Sequence, residues 1–212
     1  MTRVFGANWQ VELGPLTTAA GVVRLRPIRA RDGRQWSRLR LVNRAELEPW
    51  EPSGETNWQR RHAASQWTPL CASLRSQARS GTIVPMVIEV DGAYAGQITI
   101  GNISRGQLQS AWVGYWVDRR VTGHGVATVA VALAVDHCFG TLGLHRVDAT
   151  VRPENGGSRA VLRNAGFREE GLLRRYLHVD GAWRDHLLVA ITAEEIADSM
   201  VARVVRSGRA WF

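Results

Sequence analysis

Residues 111 to 138 constrain this chain most, because they join a strand pattern to a helix pattern through a loop suited to close contact with an anion. Ala111-Trp112-Val113-Gly114-Tyr115-Trp116-Val117 is rich in the aromatic and branched residues that favour pleated structure. Val126 to Cys138 is largely apolar and too long for a typical buried strand, which predicts a buried helix. Between them runs Arg120-Val121-Thr122-Gly123-His124-Gly125-Val126-Ala127. Glycines at 123 and 125 remove side chains that would block a close ligand, and successive backbone N–H groups at a helix start converge on negative charge. A pyrophosphate would fit there; the alternative is a glycine turn that merely joins a strand to a core helix. The commoner nucleotide loops are missing. The chain has no Gly-x-x-x-x-Gly-Lys-Ser/Thr, and no Gly-x-Gly-x-x-Gly followed by an acidic residue on a second strand, so ATP and NAD are poor matches.

The order of elements is mixed rather than repeating. Val22 to Ile28 reads as a first strand, Asp32 to Leu47 as a helix, and Asn57 to Arg79 as a second helical region kinked at Pro69. Met86 to Val90 and Tyr94 to Ile103 flank Asp91-Gly92, and Arg174 to Val179 and Trp183 to Ile191 flank Asp180-Gly181, which predicts two hairpins. Together these elements make an α/β (α+β) domain over residues 22–192, with an extension of uncertain form at 1–21 and a helical one at 193–212. With 212 residues, 45% of them hydrophobic and 22% charged, the chain can bury a sizeable core as one domain. No signal-peptide pattern and no run long enough to span a bilayer are evident, so a cytoplasmic protein without membrane contact is expected. Cys71 and Cys138 read as buried packing residues; two cysteines alone cannot hold a metal cluster, and no metal is expected. The formal charge of +8 attracts phosphates in general, yet the arginines are scattered, so it does not by itself show RNA binding.

Arg120-x-x-Gly123-x-Gly125 at the end of a strand resembles the coenzyme A loop of the GNAT acetyltransferases. The resemblance continues through the strand His145 to Val151, then Asn155 and Ser158 opening a short helix that closes at Asn164-Ala165-Gly166-Phe167. Tyr176 to His186 resembles the last hairpin of the RimJ/RimL branch, which acetylates N-terminal amines of ribosomal proteins, and Glu48-Pro49-Trp50-Glu51-Pro52 also fits the RimJ type. It covers roughly residues 22 to 192. It implies a curved mixed sheet splayed between its fourth and fifth strands to admit acetyl-CoA, with the acetyl group passed directly to a protein N-terminus, a ribosomal protein being the expected acceptor and the ribosome an expected contact. Tyr115, Trp116 and Val117 would line the pantetheine arm, Val117 supplying the oxyanion donor. Arg120, Thr122, Gly123, His124, Gly125, Val126, Ala127 and Thr128 would hold the phosphates, Asn155 a pantetheine amide, and Ser158 would protonate the leaving thiolate. The alternative for both Asn155 and Ser158 is helix capping.

The base is less defined by the sequence. Glu51 is a candidate to accept the amine proton or bind the cationic amine, and Trp50 and His178 are candidates for the acceptor channel. The RimL type carries a glutamate near the last hairpin; Leu177 and His178 stand there instead. An α-amine titrates near about 7.7 to 8.0 and a lysine near about 10.4, a difference of roughly 3.5 kcal/mol in access to the neutral nucleophile. A site without an obvious strong base therefore suits an N-terminus. The rivals are acetylation of a small amine such as an aminoglycoside or polyamine, and a non-catalytic acyl-CoA-binding factor associated with ribosomes.

Overall fold

The computed structural model describes residues 9–212, so part of the predicted N-terminal extension lies outside the described residues. Strands β1 (Leu13–Thr18) and β2 (Gly21–Pro27) are followed by helices α1 (Gly33–Val42), α2 (Arg44–Leu47), α3 (Trp58–Arg61) and α4 (Trp67–Arg79). Then come β3 (Val84–Val90), β4 (Ala93–Ser104), β5 (Ser110–Val117), α5 (Val126–Asp136), β6 (Arg146–Val151) and α6 (Gly156–Asn164). The chain closes with β7 (Arg168–Val179), β8 (Ala182–Thr192) and α7 (Met200–Arg206). The strands form one mixed sheet in the order β1-β2-β3-β4-β5-β6-β8-β7, in which only β5 and β6 run parallel.

Helix α5 is buried from Val126 through Val135, because it carries no charged residue over that span and can hide every face. It packs with β2, β3, β4 and α7 in the larger core, while Trp36 and Leu39 of α1 and Trp67 and Cys71 of α4 cover the opposite face of the sheet around Val87 and Tyr94. Asp136 at the end of α5 accepts the Met200 and Val201 N–H groups at 2.7 and 3.0 Å, which fastens α7 to it. Among the described residues no helix is long and apolar enough to cross a membrane.

Both expected hairpins form at Asp91-Gly92 and Asp180-Gly181, each with positive φ at both turn residues. Two local expectations need correction. Residues 13–18 make a strand that pairs with β2, with Leu16 opposite Val23 and buried. Pro69 does not kink a helix: it lies in the first turn of α4, where its missing N–H would have no intrahelical partner anyway. The interruption comes earlier, at Ala63, whose backbone is extended.

Across the outer strands, the Glu170 carboxylate on β7 reaches past β8 to Arg146 on β6, with contacts of 2.9 and 2.5 Å, and also pairs with Arg168. The Arg146 hydrogen bonds, then those of Arg168, hold its carboxyl down at about 2. A depressed folded-state pKa stabilises the fold above the unfolded value near 4.5 and loses that stabilisation as pH falls toward about 2. Because the pair is solvent-accessible, Glu170→Gln is expected to lower unfolding free energy by only about 0.5–1 kcal/mol at pH 7. Urea unfolding at pH 7 and pH 3 checks this, the gap between variant and parent narrowing at the lower pH.

Candidate active site

After β5 the chain turns through a short 3-10 segment, Arg119–Val121, capped by Asp118, which accepts the Arg120 N–H at 3.3 Å. The buried Asp118 also holds the Arg120 guanidinium at 2.7 and 2.5 Å, and despite its burial these Arg120 contacts keep its carboxyl below the usual range. Thr122, Gly123 and His124 are exposed, and Gly123 and Gly125 have φ of +85° and +84°, a conformation costly for any side chain. Gly125 is the residue before α5, and no side chain caps the helix there. The first intrahelical bond runs from Val129 to the Gly125 carbonyl at 3.0 Å, so the N–H groups of Val126, Ala127 and Thr128 begin a helix with nothing from the protein's side chains on them. Such an end, with its partial positive charge, is suited to a phosphate.

The sheet opens beside this loop. β5 and β6 are laddered only at Ser110–Arg146, Ala111–Val147 and Trp112–Asp148, and beyond Trp112 they separate. Asp118 donates to the Ala95 carbonyl across β4 at 2.7 Å, so strand alternation turns the backbone groups of Gly114 and Trp116 toward β4 and those of Val113, Tyr115 and Val117 toward the open edge. A cavity of about 150 Å³ lies in this opening. Val113, Gly114 and Tyr115 form one wall, Ala149 to Arg152 another, and Trp50, Asn155, Ser158, Leu162 and His186 complete it.

Asn155 caps α6 by accepting the Ser158 N–H at 3.0 Å, so capping and a place in the cavity wall coincide in one residue. The Ser158 hydroxyl is 3.0 Å from the Tyr115 hydroxyl, which also lies 3.3 Å from the Ser158 carbonyl. Burial pushes the Tyr115 phenol far above its ordinary value, outweighing its bond to Ser158, so both hydroxyls keep their protons.

On the other face of the sheet a buried cluster forms around Arg40. Its guanidinium pairs with Glu51, donates to His62 Nε2 at 3.0 Å, and lies 5.0 and 4.9 Å from the ring centres of Trp58 and Trp116. His62 Nδ1 donates to the Trp58 carbonyl at 2.9 Å, since a carbonyl can only accept, which leaves Nε2 as the acceptor facing Arg40. Burial, then the charge of Arg40, lowers His62 to about 4, so its 4.0 Å approach to Glu51 is not an ion pair at neutral pH. The Glu51 carboxylate is thus committed to Arg40.

The segment carrying Trp50 and Glu51 is strapped down at several points. Arg152 donates to the Pro49 carbonyl at 3.0 Å and lies 5.3 Å from the Trp50 ring centre, Ser53 donates to the His178 carbonyl at 2.8 Å, and Pro52 bridges to Val179. Of the residues singled out from sequence, Trp50, Tyr115, Asn155 and Ser158 share the cavity, and Arg120 to Thr128 share the loop and helix start. Trp116 has its side chain on the Arg40 face, where its indole donates to Gln97 at 3.2 Å. His178 is exposed, stacked edge-on with Trp183, and is not part of the cavity wall. Arg40, His62, Arg152 and His186 were not singled out; each joins segments distant in sequence and leaves no local pattern. No group of three or more His, Cys, Asp or Glu side chains among the described residues is placed to hold a metal ion.

Comparison with known proteins agrees with this geometry. Residues 23–168 match the model of the acetyltransferase (GNAT) domain. The fold superimposes on Mycobacterium smegmatis RimJ in complex with CoA-disulfide with a TM-score of 0.95 and 57% identity, covering 96% of this chain and 98% of that one. The [ribosomal protein uS5]-alanine N-acetyltransferase of Escherichia coli is 29% identical over 195 residues, 91% of this chain and 97% of that protein. The probable N-acetyltransferase YjcK of Bacillus subtilis is 44% identical over 101 residues, 48% of this chain and 56% of that protein.

Proposed function

The chain belongs to the GNAT acetyltransferase family, and on that premise we propose that it transfers the acetyl group of acetyl-CoA to the N-terminal α-amine of a protein, a ribosomal protein being the acceptor class. The observation that carries this reading is the unpaired edge of β5, which runs from a cavity bordered by Ser158 to an uncapped helix start. Pyrophosphate on the N–H groups of Gly125 to Thr128 and pantetheine along Val113, Tyr115 and Val117 would bring the thioester to the cavity. The amine nitrogen attacks the thioester carbonyl, the N–H of Val117 steadies the oxyanion, and the C–S bond breaks as Ser158 protonates the leaving sulfur. Tyr115 relays a proton to Ser158 through their shared hydrogen bond. Asn155 holds a pantetheine amide, and Trp50 walls the acceptor side.

Direct transfer is supported by the cysteines. Both are free and buried, and burial holds the Cys138 thiol up at about 12, far from nucleophilic at neutral pH. Free thiols also suit the cytoplasm, the location this reading implies. Similarity to the uS5-alanine enzyme and to RimJ supports the acceptor class, and the formal charge of +8 supports a contact with the ribosome as part of the same proposal.

The test is thiol release from acetyl-CoA with short peptides differing in their first residue, beside N-terminally blocked versions that retain an internal lysine. Rates are expected only with free N-termini. Rates that survive blocking would move the acceptor to lysine, and activity confined to polyamines or aminoglycosides would move it to a small amine.

A further inference from the structure

The cavity needs a proton acceptor, and its walls leave one. Among the described residues lining it there is no carboxylate, Tyr115 and Ser158 are protonated hydroxyls, and Arg152 is a cation. Glu51, next to Trp50 in sequence, has its carboxylate held by Arg40 on the other face. His186 of β8 lines the same cavity, with only 4% of its surface exposed. Its Nδ1 lies 3.1 Å from the Arg184 carbonyl, a group that can only accept, so Nδ1 carries the proton and Nε2 presents its lone pair. The Tyr176 ring stands edge-on at 5.8 Å and fixes the imidazole plane. His186 is paired with Leu173, at the point where β7 bulges away before pairing resumes at Leu177. Bulges of this kind commonly re-aim side chains beside active sites.

We propose that His186 is the general base, its Nε2 taking the proton that the acceptor amine must lose. This role rests on the acetyl-transfer reading above. As the N–C bond forms, the nitrogen releases its proton to Nε2; the C–S bond then breaks and the sulfur leaves with the proton from Ser158, and at the end of the cycle the imidazolium gives its proton to solvent while the linked Ser158 and Tyr115 hydroxyls regain one from solvent. The titratable or charged groups that share the cavity wall with the imidazole are Tyr115 from β5 and Arg152 at the end of β6; Tyr176 from β7 stands against its ring, and Arg184 and Asp185 precede it on its own strand.

His186→Asn keeps an N–H for the Arg184 carbonyl and removes the basic nitrogen, which separates proton transfer from positioning. Its kcat with a reactive peptide is expected to fall at least about 100-fold, with coenzyme A affinity and circular dichroism unchanged. In the parent enzyme both the amine and the base must be deprotonated, so log(kcat/KM) for the peptide should fall on the acid side with a limiting slope of about two, and of about one in the variant. Full kcat in His186→Asn, or an acid slope of about one in the parent enzyme, would overturn the assignment, and the second result needs no variant to fold. Parent enzyme that binds coenzyme A but acetylates no amine would instead refute the acetyl-transfer reading, and this role with it.

Discussion

Gly125→Ala is expected to raise the KM for acetyl-CoA about 10- to 100-fold while leaving kcat at saturation within a few-fold. At this residue φ is +84°, and a Cβ would stand 3.0 Å from the Arg209 carbonyl. Alanine in that conformation costs roughly 1–2 kcal/mol, and the backbone can relieve it only by turning the loop, which swings the N–H groups of Val126, Ala127 and Thr128 off their common point. Losing about 1.4 to 2.8 kcal/mol of phosphate binding corresponds to the stated range. Val117 and Ser158, which would act on the thioester, lie outside this loop and so are spared. Steady-state kinetics and calorimetric titration with coenzyme A check the split; a fall in kcat with unchanged KM would place the cofactor elsewhere.

Arg40→Ala is expected to cost about 3 kcal/mol of unfolding free energy, toward the lower end of the range for a broken buried pair because Glu51 retains some solvent. The substitution strands the Glu51 carboxylate, removes the donor on His62 Nε2 and empties the space between Trp58 and Trp116. Arg40→Lys keeps the charge but not the planar fork, and should recover only part of the loss. Urea unfolding measures both. Glu51→Gln complements them: if the carboxylate serves Arg40 rather than the amine, the variant loses stability but keeps most of its kcat.

Much of the fold was legible because its signals are local. Aromatic and branched residues marked β5, an uninterrupted apolar run marked α5, and Asp-Gly pairs marked both hairpins. β1 escaped notice since Gly14 and Pro15 interrupt its strand pattern, and its place is set by pairing with β2 and by the burial of Leu16. The glycine loop before α5 was readable for the same reason as β5: the glycines, the strand before them and the helix after them are contiguous. The Arg40 cluster and the cavity were not, because they are assembled from separated pieces. Arg40, Glu51 and His62 converge from three segments, Arg152 clasps a loop about a hundred positions earlier in the chain, and His186 and Ser158, on β8 and α6, line one cavity where the sheet opens between β5 and β6.

The most direct test of this account is amide hydrogen exchange along β5 with and without coenzyme A. Val113, Tyr115 and Val117, whose N–H groups face the open edge, should gain protection together with Val126, Ala127 and Thr128, while Gly114 and Trp116, already turned to β4, should not change. Unchanged exchange at Val113, Tyr115 and Val117 in the presence of saturating coenzyme A would contradict the claim that the pantetheine arm lies in the opening between β5 and β6.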